Sequence, residues 1–321
     1  MEVTTADEIK MLTNDLADTN QFYSRAKDHV IKLKASFKAG KQAGETSYFA
    51  TLDKTFTLRM GFLYCFTGWP SSGKSEFLTQ LAVLQGNFKG RKVALYSPES
   101  YPVEEFIDMF IHCFLGKSTD RRFPNVCSEQ EYDQAIEWVH EHFFFCDWPE
   151  TPDGETLINS FEFLRTQGCE IFIVDPFNSI VTEGEDRNIA IALKKNLTMF
   201  KRFASQKKVM VWIVEHPKTP SDTKEYDAIP GPRQLFGGTM WWNKVDVLAS
   251  VHRVNREDKS NREVIIKTWK IKKQELNGTP GEGTLHFDIR TKRYFEDLHC
   301  LNHPMSQTAI DELYKTKDLP F

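Results

Sequence analysis

Five short runs of bulky apolar residues recur along the chain: FLYCFT (62–67), KVALYS (92–97), HFFFCD (142–147), EIFIVD (170–175) and VMVWIVE (209–215). Patterns with helical spacing separate them, at roughly 74–88, 102–116, 129–142, 155–167 and 187–206. Parallel neighbours in a sheet need a crossover of helix length between them, so this alternation predicts a parallel sheet buried between two layers of helices. After about residue 244 the helical patterns stop. VDVLASVHRV, EVIIKTWKI and GTLHFDI then read as hairpin-connected strands added to the edge of the sheet. The fold class is α/β, with a mostly parallel central sheet and antiparallel strands at its C-terminal edge.

Between the first strand and its helix lies FTGWPSSGKSEF (66–77). Gly68, Gly73, Lys74 and Ser75 fit G-x-x-x-x-G-K-[ST], the loop that cradles phosphates in nucleotide hydrolases. The two glycines let the backbone turn tightly, so that its N–H groups face phosphate oxygens. The N-terminus of the following helix adds partial positive charge. Lys74 is expected to reach the β- and γ-phosphates of ATP or another NTP, and the Ser75 hydroxyl to bind Mg²⁺. Ser71, Ser72 and Glu76 complete the candidate nucleotide set on this loop.

Hydrolysis needs one carboxylate beside Mg²⁺ and another to polarise the attacking water. IFIVDP ends a buried strand with Asp175, which suits the first role, and ALYSPES ends another with Glu99, which suits the second. Ligands of parallel sheets sit at the C-terminal ends of the strands, where both acids fall. VWIVEHPK ends a third strand with His216, either a plain polar cap or a contact to the γ-phosphate. The segment after it, PKTPSDTKEYDAIPGPRQLFGG, is long and polar, as functional loops are, and carries Lys218, Lys224 and Arg233. GGTMWWNKVD holds two adjacent Trp, of which one is expected to pack and the other to sit at an interface.

The order of these pieces (phosphate loop, YSPE, IVDPFN, WIVEHPK, GGTMWWNKVD, a basic strand and NGTPGEG) resembles the RecA-like motor domain of hexameric replicative helicases. It looks like the DnaB superfamily, nearest to Twinkle-type and phage primase-helicases, over roughly residues 48–296. The resemblance implies an ATP-driven ring that translocates on single-stranded DNA. It implies that Glu99 is the base, Asp175 the Mg²⁺-side carboxylate and His216 the γ-phosphate sensor, and that the 217–238 loop lines a central channel and holds single-stranded DNA, with Lys218, Lys224 and Arg233 as candidate DNA contacts. It also implies a K-x-R pair on a late strand that completes the neighbouring subunit's site. WKIKKQELNG offers Lys270 and Lys272 there, with Lys where the family has Arg; Lys keeps the charge and loses the planar fork. Arg253 and Phe287 match positions that hold the base.

Ahead of the sheet, Phe22, Ala26, Val30, Leu33 and Phe37 step at helical spacing up to Gly40, and AGKQAGETS reads as a linker. Residues 1–47 are therefore expected to form a helical arm and linker that folds back or docks on a neighbour, 48–296 the motor, and 297–321 a tail with a short helix. TADE (5–8) is a capping-box pattern for an earlier helix. The net charge of −4 leaves any basic groove local. Six scattered Cys without a C-x-x-C pair read as reduced thiols of a cytoplasmic protein, and no apolar run reaches membrane-spanning length. With no zinc module or acidic primase cluster in view, a separate primase or loader is an expected partner. A recombinase-type filament and a non-translocating, regulatory ATP-binding protein remain the other readings of the same residues.

Overall fold

β1 (Leu63–Thr67) lies inside a nine-stranded sheet with order β3-β2-β4-β5-β1-β6-β7-β8-β9. The structure is a computed structural model that describes residues 23–296 except 124–125, 149, 181–185, 221, 223–225, 256 and 259. Phe22, Lys224, the 5–16 helix and the C-terminal tail lie outside the described residues. The chain divides into two units, Met1–Gln42 and Ala43–Phe321. In the first, a 3-10 turn (Ala26–His29) leads into α1 (Val30–Ala39), which ends at Gly40 with φ +77°. No residue of α1 is buried.

In the second unit, α2 (Ala50–Asp53) precedes β1. The chain then alternates as the apolar runs imply: α3 (Lys74–Lys89), β2 (Lys92–Tyr96), α4 (Val103–Leu115), α5 (Glu129–His142), β3 (Phe143–Cys146), α6 (Gly154–Thr166), β4 (Cys169–Val174), α7 (Asp186–Lys207) and β5 (Met210–Glu215). β2, β3, β4, β5 and β1 pair in parallel. Their side chains alternate between the two faces, as a two-residue period requires. Tyr64 and Phe66 of β1 join the core under α3, α4 and α5, whereas Leu63 and Cys65 join the core under α6 and α7.

Two details differ from the sequence reading. β6 (Val247–Arg253) is not an edge hairpin strand, because it pairs in parallel with β1, Tyr64 opposite Val247. The chain reaches it from β5 through the long loop and the helix α8 (Gly238–Lys244), and that crossover brings it back in the same direction. The antiparallel addition starts one strand later, with β7 (Glu263–Ile271), β8 (Gly281–Asp288) and a short β9 (Arg293–Phe295) that had no signal of its own. A single turn, α9 (Gln274–Asn277), joins β7 to β8. In α8 the 3.6-residue period divides the two Trp: Trp241 is buried and Trp242 exposed.

Phe161 of α6 is fully buried, with ring centroids of Phe172, Phe200 and Phe203 at 4.9, 6.3 and 6.4 Å. Phe161→Ala should cost about 3–5 kcal/mol of stability through the lost burial and the cavity. Urea unfolding followed by circular dichroism measures it, and a loss under about 1 kcal/mol would mean that this layer repacks freely.

Candidate functional site

The phosphate loop is shaped by what presses on it. A side chain at Gly68 would put its Cβ 2.2 Å from the Val251 carbonyl oxygen of β6, so only glycine lets the loop leave β1 here. Gly73 is left-handed, φ +88°, and Ser71 joins it at φ +59°. The Tyr294 hydroxyl of β9 donates to the Gly73 carbonyl at 2.8 Å. Carbonyl and N–H point opposite ways across a trans peptide, so this bond helps to aim the Lys74 N–H toward the mouth of the loop. Lys74 lies across the loop, its Nζ donating to the carbonyls of Gly68 at 3.0 Å and Trp69 at 3.1 Å. Burial lowers the Lys74 pKa, and the Asp175 charge opposes that shift.

Beside the loop, Ser75 Oγ donates to Asp175 Oδ2 at 2.7 Å. Burial raises the Asp175 pKa, against the Ser75 hydrogen bond and the Lys74 charge. His216 Nε2 lies 3.7 Å from a carboxylate oxygen of Glu99, which is otherwise well exposed. Burial, then the Lys74 charge, holds the imidazole below its ordinary pKa. Lys74, Ser75, Glu99, Asp175 and His216 thus meet at the C-terminal ends of β1, β2, β4 and β5. Two hard oxygen donors side by side suit Mg²⁺, which takes few protein ligands and completes its shell with phosphate and water. The hydroxyls of Ser72 and Thr67 are buried without a hydrogen-bond partner, which fits a loop built to meet polar atoms from outside the chain.

A cleft of about 390 Å³ continues from the loop, bounded by Ser71, Ser72, Gly73 and Glu76 on one side and Arg253 and Phe287 on the other. The Phe287 ring packs on Tyr294 at 4.9 Å. The cleft therefore has a flat apolar wall and a cation next to the phosphate cradle. Lys218 and Arg233 share a different cleft with Trp242 and Trp269. Between them Pro217 and Leu235 bridge antiparallel, and the Lys218 N–H donates to the Gln234 carbonyl at 2.8 Å.

Lys270 and Lys272 are not part of this cluster. β7 runs antiparallel, with Ile271 opposite Val247 at the start of β6, so both lysines sit at the N-terminal edge of the sheet, away from their own phosphate loop. Lys272 Nζ is 3.1 Å from Asp246 Oδ1. Lys270 donates to the carbonyls of Val245, at 2.9 Å, and Trp242.

The fold has close counterparts among solved structures. An ATPase domain of G40P superposes with a TM-score of 0.71 over 86% of this chain and 99% of that one, at 15% identity. A DnaB-like replicative helicase, described with its interactions with primase, superposes at 0.64 over 89% of this chain and 70% of that one, also at 15% identity. The fold is the RecA-like ATPase fold that these two structures share. In sequence the chain is similar to the Twinkle homolog protein, chloroplastic/mitochondrial, of Arabidopsis thaliana, 24% identical over 268 residues, 79% of this chain. It is also similar to the DNA helicase/primase of Enterobacteria phage T3, 23% identical over 188 residues, 54% of this chain. The chain spans 37% and 32% of these relatives' own lengths, and no family model matches it. Among the described residues no helix is long and apolar enough to cross a membrane.

One titratable group of this domain escapes sequence reading. Glu215, the residue before His216, is buried on the face of the sheet that carries Cys65, and its Oε2 has no hydrogen-bond partner. Desolvation pushes its pKa from an ordinary 4.5 up to about 8. Because the folded chain holds this proton more tightly than the unfolded one, its contribution to stability is complete below the ordinary carboxylate pKa. It is lost as pH rises toward about 8. Wild-type stability should therefore fall between about pH 5 and 8, and Glu215→Gln should flatten that slope. Denaturant midpoints across the range test this, and parallel profiles for the two proteins would show that Glu215 does not titrate there.

Proposed function

We propose that the chain is the ATP-dependent motor of a replicative DNA helicase, hydrolysing ATP or another NTP and translocating on single-stranded DNA as a homo-oligomeric ring. The observation that carries this reading is the meeting of the Ser75–Asp175 pair and the Glu99–His216 pair beside Lys74 at one end of the sheet. In it, the loop amides and Lys74 hold the phosphate chain, and Phe287 and Arg253 receive the base. Ser75 and Asp175 hold Mg²⁺, which neutralises charge on the phosphates when bound. Glu99 orients the attacking water and accepts its proton. His216 touches the γ-phosphate side and begins the loop that carries Lys218 and Arg233. A change in its contacts is thereby passed to the DNA-binding segment.

The ring is supported by Lys270 and Lys272 at the opposite sheet edge, where they cannot serve their own subunit, and by the apolar residues Val30, Leu33 and Phe37 exposed on α1. The arm docks these on a neighbour. The phage T3 relative is a helicase/primase, and the DnaB-like helicase is described with its interactions with primase. Both point to priming as the associated activity, which makes a primase the natural partner.

Lys74→Ala should lower turnover by ~10²–10³, the usual loss when a group that stabilises transferring charge is removed. Glu99→Gln should keep nucleotide affinity and hydrolyse poorly. Strand separation of a forked duplex by the wild type, lost in both variants, is the test; wild-type turnover in both variants would remove the site assignment.

A cation supplied from the next subunit works only in the assembly. Lys272→Ala should therefore abolish DNA-stimulated hydrolysis while the isolated subunit still binds nucleotide. Mixed with Glu99→Gln subunits, it should regain activity at seams that pair an intact Glu99 with an intact Lys272. Normal hydrolysis by Lys272→Ala alone would rule Lys272 out as the trans group.

A further inference from the structure

Trp69 belongs to two loops at once. Its backbone is part of the phosphate cradle: the Trp69 carbonyl accepts from Lys74 Nζ at 3.1 Å and from the Ser72 N–H at 3.2 Å. Its side chain belongs to the long loop after β5. The indole N–H donates to the Ala228 carbonyl at 2.8 Å, and the ring stands edge-on to Tyr226 at 5.0 Å. Among the contacts of the phosphate loop this one reaches residues between Lys218 and Arg233, the segment proposed above to hold DNA.

The local chemistry makes this a stiff connection. Trp69 precedes Pro70, so the helical region is disfavoured for its backbone. The side chain is 2% exposed, and a close-packed indole cannot swing without displacing its neighbours. A phosphate chain seated on the loop competes for the same ammonium hydrogens that now hold the Gly68 and Trp69 carbonyls. Any turn of the Trp69 peptide that follows must move the indole, and with it the Ala228 peptide. His216 acts at the root of the long loop; Trp69 grips it near its middle.

We propose that Trp69 is a positioning residue that couples triphosphate binding at the 68–75 loop to the conformation of the 226–231 segment. This rests on the reading of 68–75 as a triphosphate site, and its consequence for DNA rests on the reading of the long loop as the DNA contact. Binding couplings between two sites are reciprocal. The nucleotide should then change single-stranded DNA affinity, and DNA should change nucleotide affinity, by one shared factor to which Trp69 contributes.

The test uses the full chain, a non-hydrolysable ATP analogue with Mg²⁺, and a labelled oligo-dT. Trp69→Phe keeps an aromatic ring and loses the indole N–H; Tyr226→Leu removes the contact from the other side and guards against a folding defect in the first variant. In the wild type the analogue should alter hydrogen exchange of both 68–75 and 226–231. In either variant it should still alter 68–75 but leave 226–231 unchanged. The factor by which the analogue changes oligo-dT affinity should fall about fivefold, the scale of one buried hydrogen bond; for Tyr226→Leu, which lies outside the 68–75 loop, analogue affinity measured alone should stay within about twofold. An exchange response in 226–231 that persists in both variants, with an unchanged factor, would overturn the role of Trp69. An analogue that fails to protect 68–75 in the wild type would overturn the triphosphate reading itself, and the inference with it. A wild type in which 226–231 responds to the analogue while oligo-dT does not bind would overturn the DNA reading and leave the coupling by Trp69 supported.

Discussion

The site depends on β1 being hydrogen-bonded in parallel on both sides, to β5 and to β6. Three parallel neighbours end on the same side of the sheet, so their terminal residues fall in one row without any further device. Thr67 stands opposite Glu215 of β5 and Ser250 of β6. The chain leaving β1 must then turn under the end of β6, and the 2.2 Å clearance at Gly68 is the result. Had β6 joined at the far edge, the loop would lack that floor. The same registration brings Asp175, at the end of β4, within hydrogen-bond reach of Ser75.

What was legible in the sequence follows from this. The phosphate loop, Asp175, Glu99 and His216 are each marked locally: an apolar run fixes a buried strand, and the residue just past it must emerge at the ligand edge. The helices between runs were legible for the same reason, since a run that must be buried on both faces leaves one way to connect it. Gly40 ends α1 where its chemistry says it should.

What was not legible is long-range. β6 shows no alternation because both its faces are covered, and periodicity cannot tell such a strand's partner or direction. β9 is three residues long, yet it carries Tyr294 to the Gly73 carbonyl and Arg293 to the carbonyls of Cys113 and Phe114 at the end of α4, ties across about 180 residues or more of chain. Glu215 looks like an ordinary strand-end acid until its desolvation is seen. Trp69 sits at a position the loop pattern leaves unspecified, so its tie to Ala228 had no signal at all.

The N-terminal edge of the sheet carries a charge imbalance that bears on the proposed ring. Asp246, 2% exposed, accepts from the Leu63 N–H at 2.8 Å and faces both Lys201 and Lys272, with Lys270 close enough to feel them. One carboxylate thus stands among three ammonium groups. Burial, then the neighbouring Lys272 charge, pulls the Lys270 pKa down to about 8. An anion brought to that edge relieves the excess, whereas a second carboxylate from the same chain is not there to do so among the described residues. In the proposed ring, a γ-phosphate held by the next subunit is such an anion. Lys272 is moreover the more exposed partner of its ion pair, 43% against 3% for Asp246, so it can turn toward the seam while Asp246 keeps Lys201 and the Leu63 amide. In the proposed ring, Lys272 serves the neighbour's site while Asp246 keeps its buried partners.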